Sequence, residues 1–255
     1  MMVSQASFHW YSSPPTTYLS KMTTDHLHDA MSLMLGILFV TFLLELCSLD
    51  TVKKLLKQPG AGRSLYVAGI LANLRNHLVL GVPIYILAAG LFCRCDDELY
   101  FFDSLLCILT LLIVHSVIFY VAHRSFHASP ALYQHHRFHH RFNIHVTPMA
   151  AHAVSVVEYI VAYALPFTVP MPFIKTDIFS LRLSITIVVF ANLLIHTPRL
   201  EEWSRINLPP WWVTTHDHLE HHRKLNTRYA ASTFNVDYFV KNLVGDGSND
   251  AKEID

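Results

Sequence analysis

Charged residues are scarce in this chain. Asp, Glu, Lys and Arg make up 15% of its 255 residues, whereas 52% are hydrophobic. A typical soluble domain has about 25% charged residues, so this composition argues against a soluble globule. The 19 Lys and Arg balance the 19 Asp and Glu, and the chain therefore lacks the concentrated positive charge that nucleic-acid phosphates require. We expect no nucleic-acid partner.

Cysteine and glycine are also few. The four cysteines form no C-x-x-C pair and no disulfide framework, and among the eight glycines there is no G-x-G-x-x-G phosphate-binding pattern. Cysteine-based metal sites and a built-in dinucleotide domain are thereby excluded. Histidine, by contrast, is abundant, with 18 residues, so any metal site is to be sought among the imidazoles.

Long apolar stretches predict the fold. Each of the five is long enough, or nearly so, for a helix to cross a hydrocarbon core of about 30 Å. They cover residues 30–49, 65–93, 104–122, 153–173 and 178–195. The last two are so close that they form a hairpin. We predict an all-α integral membrane bundle of four to five segments over residues 30–244, with tails at 1–29 and 245–255.

The distribution of positive charge predicts the orientation. With five crossings and the N-terminus outside, 14 Lys and Arg fall on one side, in residues 51–64, 123–152 and 197–255, and three fall on the other. Cytoplasmic connections collect Lys and Arg, so the first side is predicted to be cytoplasmic. All dense histidine clusters then lie on that side, where they can meet as a metal-binding cap.

Three histidine clusters have helical spacing. His123 and His127 form H-x-x-x-H, His136, His139 and His140 form H-x-x-H-H, and His218, His221 and His222 repeat H-x-x-H-H. Residues three and four apart share a helix face. Eight imidazoles exceed the needs of one tetrahedral zinc and suit two metal ions with mostly nitrogen ligands.

These motifs resemble the fatty acid hydroxylase and sterol desaturase superfamily of membrane di-iron oxygenases. The resemblance covers residues 104–245 and includes the sequences HRSFH, HRFHH and HLEHH, the single His196, and NTRYAASTF at 226–234. Residues 147–152 are similar to the sterol C5-desaturase branch, whereas 229–234 are more similar to the 4-methylsterol oxidase branch. The substrate expected from the resemblance is a sterol or related lipid, with hydroxylation and desaturation both open.

The resemblance also implies a metal site and partners. Two iron ions would use O2 to attack an unactivated C–H bond, and the expected ligands are His123, His127, His136, His139, His140, His152, His196, His218, His221 and His222. Electrons would come from NAD(P)H through a separate cytochrome b5 or reductase, since the chain has no H-P-G-G haem-binding signature. The expected location is the endoplasmic reticulum, with the active site facing the cytoplasm.

Several residues have more than one interpretation. The superfamily usually has His-Pro where Ser155 and Val156 stand, so an outer ligand or its support is absent or replaced. For His135, His145 and His216 we favour structural roles over ligation. Glu158 is expected to support the site from a buried position, whereas Asp217 and Glu220 either orient imidazoles or lie on a helix surface.

Other histidines lie farther from the clusters. His115 either lines a substrate tunnel or is merely interfacial, and His77 either lies over the site or is likewise interfacial. His9, His26 and His28 are expected in a tail on the opposite face, without a chemical role.

Two other functions fit a histidine-rich membrane protein. A metal transporter would place its ligands inside the spanning segments near mid-bilayer, whereas these clusters lie at segment ends. A non-catalytic scaffold would keep the metal-binding histidines without turnover, and the serine at position 155 is compatible with that alternative. Metal content combined with O2-dependent turnover distinguishes the three.

Overall fold

Helices form almost the whole of the chain that the structure describes. The computed structural model describes residues 15–93, 101–230 and 232–244, and these contain no β-strand, only two isolated bridges. The α-helices are α1 Pro15–Cys47, α2 Leu49–Lys57, α3 Gly62–Leu74, α4 Val82–Phe92, α5 Phe101–Ala128, α6 Pro130–His136, α7 Val156–Glu158, α8 Leu165–Thr168, α9 Ile178–Ile195, α10 Glu201–Asn207, α11 Thr215–Lys224 and α12 Val236–Val244.

Five helical segments are long and apolar enough to cross a bilayer. In chain order, the five spans are Thr24–Cys47, Gly62–Phe92, Phe101–Ala128, Val156–Phe173 and Ile178–Ile195. The second and fourth are continuous because π-helical stretches, Arg75–Gly81 and Tyr159–Ala164, connect their α-helical parts. The all-α membrane bundle predicted from the sequence is confirmed, and the polar residues 75–77 lie within one unbroken span.

Large apolar side chains cover the outside of the bundle. Phe39 on α1, Leu91 on α4 and Phe179 on α9 are 60%, 65% and 64% exposed. Soluble proteins rarely expose apolar surface on this scale, whereas a hydrocarbon surrounding accepts it without cost. The inner faces pack together through Leu33, Leu111 and similar residues from all five spans.

Polar residues on the first two spans hold the segment between the second histidine cluster and the fourth span. Glu45 accepts a hydrogen bond from the backbone N–H of Met149 at 2.6 Å. Asn73 donates to the carbonyl of Met149 at 2.9 Å, and Asn76 donates to that of His152 at 3.0 Å. Buried polar groups are stabilised when paired in this way, so the spans fix the backbone that carries His152.

A glycine permits this close approach. A Cβ atom on Gly69 would lie 2.4 Å from Sδ of Met149 and 3.0 Å from Cζ of Phe142. Both side chains are buried, so a side chain at residue 69 would require the end of Met149 or the ring of Phe142 to shift. The absence of a side chain at residue 69 thus allows the second span to touch the segment that follows the second histidine cluster.

The N-terminal part of the chain differs from the expected tail. Helix α1 begins at Pro15, well before residue 30, because its helical pattern continues through polar residues. His26, which is 5% exposed, and His28, which is exposed, both lie in α1 within the first span, so their assignment to a tail is wrong. His9 and the tail at 245–255 lie outside the described residues.

Candidate metal centre

The histidine clusters meet at one end of the bundle. The third span ends in His123 and His127, His136 closes α6, and α11 carries the third cluster. The structure sorts the histidines into two groups, within each of which the ring nitrogens that can bind a metal lie within 4.8 Å of one another. The five-histidine group is His123, His127, His136, His140 and His221, and the four-histidine group is His139, His196, His218 and His222.

In the five-histidine group the Nε2 atoms face one another. Nε2 of His140 lies 2.8 Å from that of His136, 3.1 Å from that of His127 and 3.3 Å from that of His221. Nε2 of His123 is 3.1 Å from that of His136. Helices α5, α6 and α11 thus all direct the same ring nitrogen toward a common point.

The four-histidine group repeats this arrangement. Nε2 of His218 lies 2.9 Å from Nε2 of His196 and 3.1 Å from that of His222. The ring of His139 packs 4.7 Å, centroid to centroid, from the ring of His222. His196, which directly follows the fifth span, joins α11 here, so this group links the bundle to the cap.

The opposite ring nitrogen, Nδ1, is occupied by acceptors in most of these residues. Backbone carbonyls accept from four of them and side-chain oxygens from three. The pairs are His123 with Tyr229 O, His139 with Ala150 O, His196 with Asn192 O, His221 with Thr227 O, His136 with Glu158, and His140 and His222 with Asn143. An acceptor at Nδ1 fixes the proton there and leaves a lone pair on Nε2.

The facing Nε2 lone pairs indicate that the site suits a cation. Two Nε2 atoms that both lack a proton repel each other at about 3 Å, and neither can donate a hydrogen bond to the other. A cation between them turns this repulsion into coordination, and imidazole is a good ligand for iron, zinc and copper. The residues present therefore fit metal ions, one for each group.

Burial keeps the imidazoles outside the spans neutral. It lowers the pKa of His196 and of His221 to about 4. In His139 and His222 burial, followed by the charge of neighbouring imidazoles, lowers the pKa well below its usual range. Neutral imidazole is the form that binds a metal, so at neutral pH these side chains are ready to coordinate.

Helix α11 is fixed at its start by a capping box. Thr214 accepts from the N–H of Asp217 at 3.0 Å, and Asp217 accepts from the N–H of Thr214 at 3.1 Å. Asp217 also pairs with Arg228, and Glu220 pairs with Lys224 and Arg228. The two acids thus hold the helix and the following loop, and of their two expected interpretations the surface one agrees better with these contacts.

The loop after α11 supplies hydrogen-bond acceptors to histidines on α5 and α11. Its motif, residues 226–234, contains the Thr227 and Tyr229 carbonyls that bind His221 and His123. The hydroxyls of Thr233 and Ser116 on α5 lie 2.9 Å apart, and Ser232 donates to the Val188 carbonyl of α9. This motif therefore attaches the third cluster to the third and fifth spans.

Glu158 supports the five-histidine group from a buried position. Its side chain is 3% exposed, and Oε1 lies 2.6 Å from Nδ1 of His136. A carboxylate behind a ligating imidazole fixes the ring and raises its basicity. The buried supporting position expected for Glu158 agrees with this contact.

Ser155, which stands where the resemblance expects histidine, has a structural task. Its Oγ accepts the N–H of Glu158 at 3.1 Å and caps α7. The serine therefore positions the residue that supports His136. Residue 155 thus contributes to the site indirectly, by fixing the backbone of Glu158.

One expected ligand, His152, lies outside both groups, as do seven further histidines of the described residues, of which His26 and His28 lie in the first span. His152 is buried and packs edge to face against His77 at 4.8 Å between ring centroids. His216 pairs with Glu201 at 3.3 Å, and His135 and His145 are partly exposed. His77 and His115 line a cavity inside the bundle together with His152, so the lining role considered for His115 agrees with the structure.

Sequence reasoning missed Asn143. Its Oδ1 lies 2.9 Å from Nδ1 of His140 and 2.8 Å from Nδ1 of His222, and so it accepts from one imidazole of each group. Asparagine is common in loops, and its position three residues after His140 is the only sequence signal. Asn192, which donates to the Ala151 carbonyl and whose own carbonyl accepts from His196, was likewise missed.

Comparison with known proteins agrees with this arrangement. The family model described as fatty acid hydroxylase matches residues 108–242, which is more than half of the chain and includes every histidine of both groups. The chain belongs to the fatty acid hydroxylase family. Members are, in general, membrane enzymes that use O2 and iron to hydroxylate or desaturate lipids, so this family member is an integral membrane protein with an iron-type histidine site. No curated protein and no solved structure matches the chain.

Replacing Asn143 by leucine should weaken both metal groups together. The substitution leaves Nδ1 of His140 and of His222 without their acceptor, and loss of such a supporting partner typically lowers metal affinity about 10-fold to 100-fold. Metal analysis of the purified protein at increasing chelator concentration measures the loss. Asn143→Asp keeps an acceptor oxygen and should retain more metal; equal retention in the leucine variant and the wild type would contradict the role of Asn143.

Replacing Ser155 by alanine should leave the metal content unchanged and lower stability. The cap on α7 is lost, which typically costs about 0.5 to 2 kcal/mol, but neither histidine group loses a nitrogen. Ser155→His should bring no gain in bound metal, since we expect the histidines already present to complete the metal site. Metal analysis and thermal unfolding measure the two effects. A clear gain of metal in Ser155→His would show that the groups lack a ligand.

Proposed function

We propose that this chain is a di-iron oxidoreductase that uses O2 to hydroxylate or desaturate a membrane lipid, with a sterol or related lipid as the substrate. The observation that carries the proposal is the pair of all-imidazole groups whose Nε2 lone pairs converge at the end of an apolar bundle. Iron held there would supply the O2 activation needed to attack an unactivated C–H bond.

The proposed ligands are the nine histidines of the two groups. His152, whose ring nitrogens have no hydrogen-bond partner among the described residues, is proposed as an additional ligand that moves toward the four-histidine group. Glu158, Asn143 and the backbone carbonyls at Nδ1 hold the rings in their orientation. The protein thereby supplies a fixed and neutral nitrogen cage, which keeps the reorganisation on metal binding small.

A cavity among the spans is the proposed binding site of the lipid. It is partly open to the outside, and most of its lining is apolar. Phe119 lies between this cavity and the five-histidine group, since its ring is 5.8 Å from the cavity residue Tyr163 and 5.3 Å from His123, centroid to centroid.

Electrons and location complete the proposal. Forming an alcohol or an alkene from a C–H substrate and O2 requires two electrons from outside, and we propose NAD(P)H as their source through cytochrome b5 or a reductase. The proposed location is the endoplasmic reticulum with the histidine cap in the cytoplasm. The excess of Lys and Arg on that side supports the orientation.

Replacing His139 or His221 by alanine should abolish turnover and lower metal content. Each substitution removes one nitrogen, from the four-histidine and the five-histidine group respectively. Metal analysis, O2 consumption and lipid profiling of cells with and without the chain measure the effects, with the exposed His28→Ala as the control. Two irons with product formation support the oxygenase, metal flux would support a transporter, and bound metal with neither would support a scaffold.

The cap and the C-terminus should lie on the same, cytoplasmic side. Glycosylation acceptor sites placed near residue 135 and after residue 244 should both remain unmodified in the endoplasmic reticulum, whereas a site in the 94–100 connection should be modified. Protease accessibility in sealed microsomes provides a second measurement. Modification at the first two positions would reverse the proposed orientation.

A further inference from the structure

The cavity inside the bundle contains polar side chains that metal binding does not explain. Three of them have partners within the protein. Tyr163 donates to the Ala151 carbonyl at 3.0 Å, Tyr85 donates to Asp29, and Nδ1 of His77 lies 2.8 Å from the Asn73 carbonyl. These groups contribute to packing, and their hydrogen bonds account for their presence in an apolar surrounding.

His115 is different. Its side chain, in the middle of the third span, is 1% exposed, and neither Nδ1 nor Nε2 has a hydrogen-bond partner among the described residues. Its ring contacts Phe167 and Phe119, at 4.6 and 6.1 Å between centroids. A buried polar group without a partner is costly, so an apolar side chain would be expected here if packing were its only task.

We propose that His115 is a specificity-determining residue that hydrogen-bonds a hydroxyl group of the lipid bound in the cavity. The inference rests on the proposed function only in taking this lipid as the substrate. A neutral imidazole has one N–H donor and one acceptor nitrogen, and a hydroxyl group can both donate and accept. A hydroxyl therefore pairs with His115 in either tautomer, whereas an ether or ester oxygen pairs only with the N–H.

A bound metal ion explains the unpaired ring nitrogens of His115 less well than a lipid hydroxyl does. His115 belongs to neither histidine group, and the rings that it contacts most closely are those of two phenylalanines. Among the described residues, no group of three metal-binding side chains includes it. A hydrogen-bonding ligand needs only this one side chain and space beside it, which the cavity provides.

His115 also lies far from the metal-binding end of α5, so a hydroxyl bound to it is distant from the carbon that would react. His115, Phe119 and His123 follow one another at intervals of four residues on α5. With a rise of about 1.5 Å per residue, His115 lies about 12 Å along the helix from His123. The lipid thus binds by its oxygen at one point and presents a distant carbon toward Phe119 and the metal-binding end.

Photolabelling of the full-length protein in phosphatidylcholine nanodiscs tests the proposal. One probe pair is a long-chain alcohol and the corresponding alkane, with a diazirine at the same carbon. The second is a photoreactive sterol and its 3-deoxy analogue, so that the two pairs distinguish chain from ring lipids. Labelling of cavity peptides is compared among the wild type, His115→Leu, His115→Gln and the control Thr186→Val, which alters an exposed residue of α9 outside the cavity.

The wild type and Thr186→Val should label better with the hydroxylated member of at least one pair. Relative to His115→Leu, that preference should be about threefold to tenfold larger, as expected for one neutral hydrogen bond. Each preference is a ratio of labelling by the two probes of a pair. Dividing the preference of one variant by that of another cancels the different partitioning of the two probes into the bilayer. His115→Gln, which keeps a donor and an acceptor, should recover part of the preference.

Equal preference in the wild type and His115→Leu, or none in the wild type, would overturn the proposal. If His115→Leu does not fold, as judged by thermal unfolding, His115→Phe replaces it and keeps an aromatic ring in the same space. Labelling requires neither bound iron nor turnover. A protein without oxygenase activity that still prefers hydroxylated probes through His115 would thus refute the proposed function and support this inference.

Discussion

The close approach of unprotonated imidazole nitrogens is the constraint on which the rest of this structure depends. In seven of the nine imidazoles the Nε2 lone pair is directed inward because an acceptor on the other side of the ring holds the proton at Nδ1. Nitrogen atoms about 3 Å apart and removed from water repel one another unless a cation lies among them. The acceptors, helix ends and loop that surround the two groups can all be understood as the support that keeps this arrangement in place.

That support reaches deep into the membrane part of the protein. Glu45, Asn73 and Asn76 would be costly in hydrocarbon if they were left unpaired, yet each is hydrogen-bonded to the segment before the fourth span. The same segment contains Ala150, whose carbonyl accepts from His139. The spans therefore orient the metal-binding cap as well as anchoring it.

The sequence was sufficient for the fold class and the family, because apolar length and histidine spacing are local signals. It predicted four to five membrane segments, and the described residues contain five. It could not assign the histidines to groups. His136 and His140, four residues apart, share a group, whereas His139 joins the other. Which group each residue joins depends on how α5, α6 and α11 cross, and sequence spacing does not contain that information.

The supporting residues were harder to predict for the same reason. Glu158 was recognisable because an acid within an apolar run needs a partner. Asn143 and the carbonyls of Thr227 and Tyr229 gave no comparable signal, since a loop asparagine or a backbone oxygen is chemically ordinary until the chain folds. The role of Ser155 was likewise invisible, because a cap depends on the local backbone conformation.

Asn143 is an acceptor shared by the two histidine groups, so the orientation of its side chain affects both of them. Its one amide oxygen accepts from both His140 and His222, so a rotation of that side chain toward solvent would release two rings at once. Helix α11 already joins the two groups through the backbone, since it carries His221 of one group and His218 and His222 of the other. The rotamer of one loop asparagine adds a second connection, and this one runs through side chains alone.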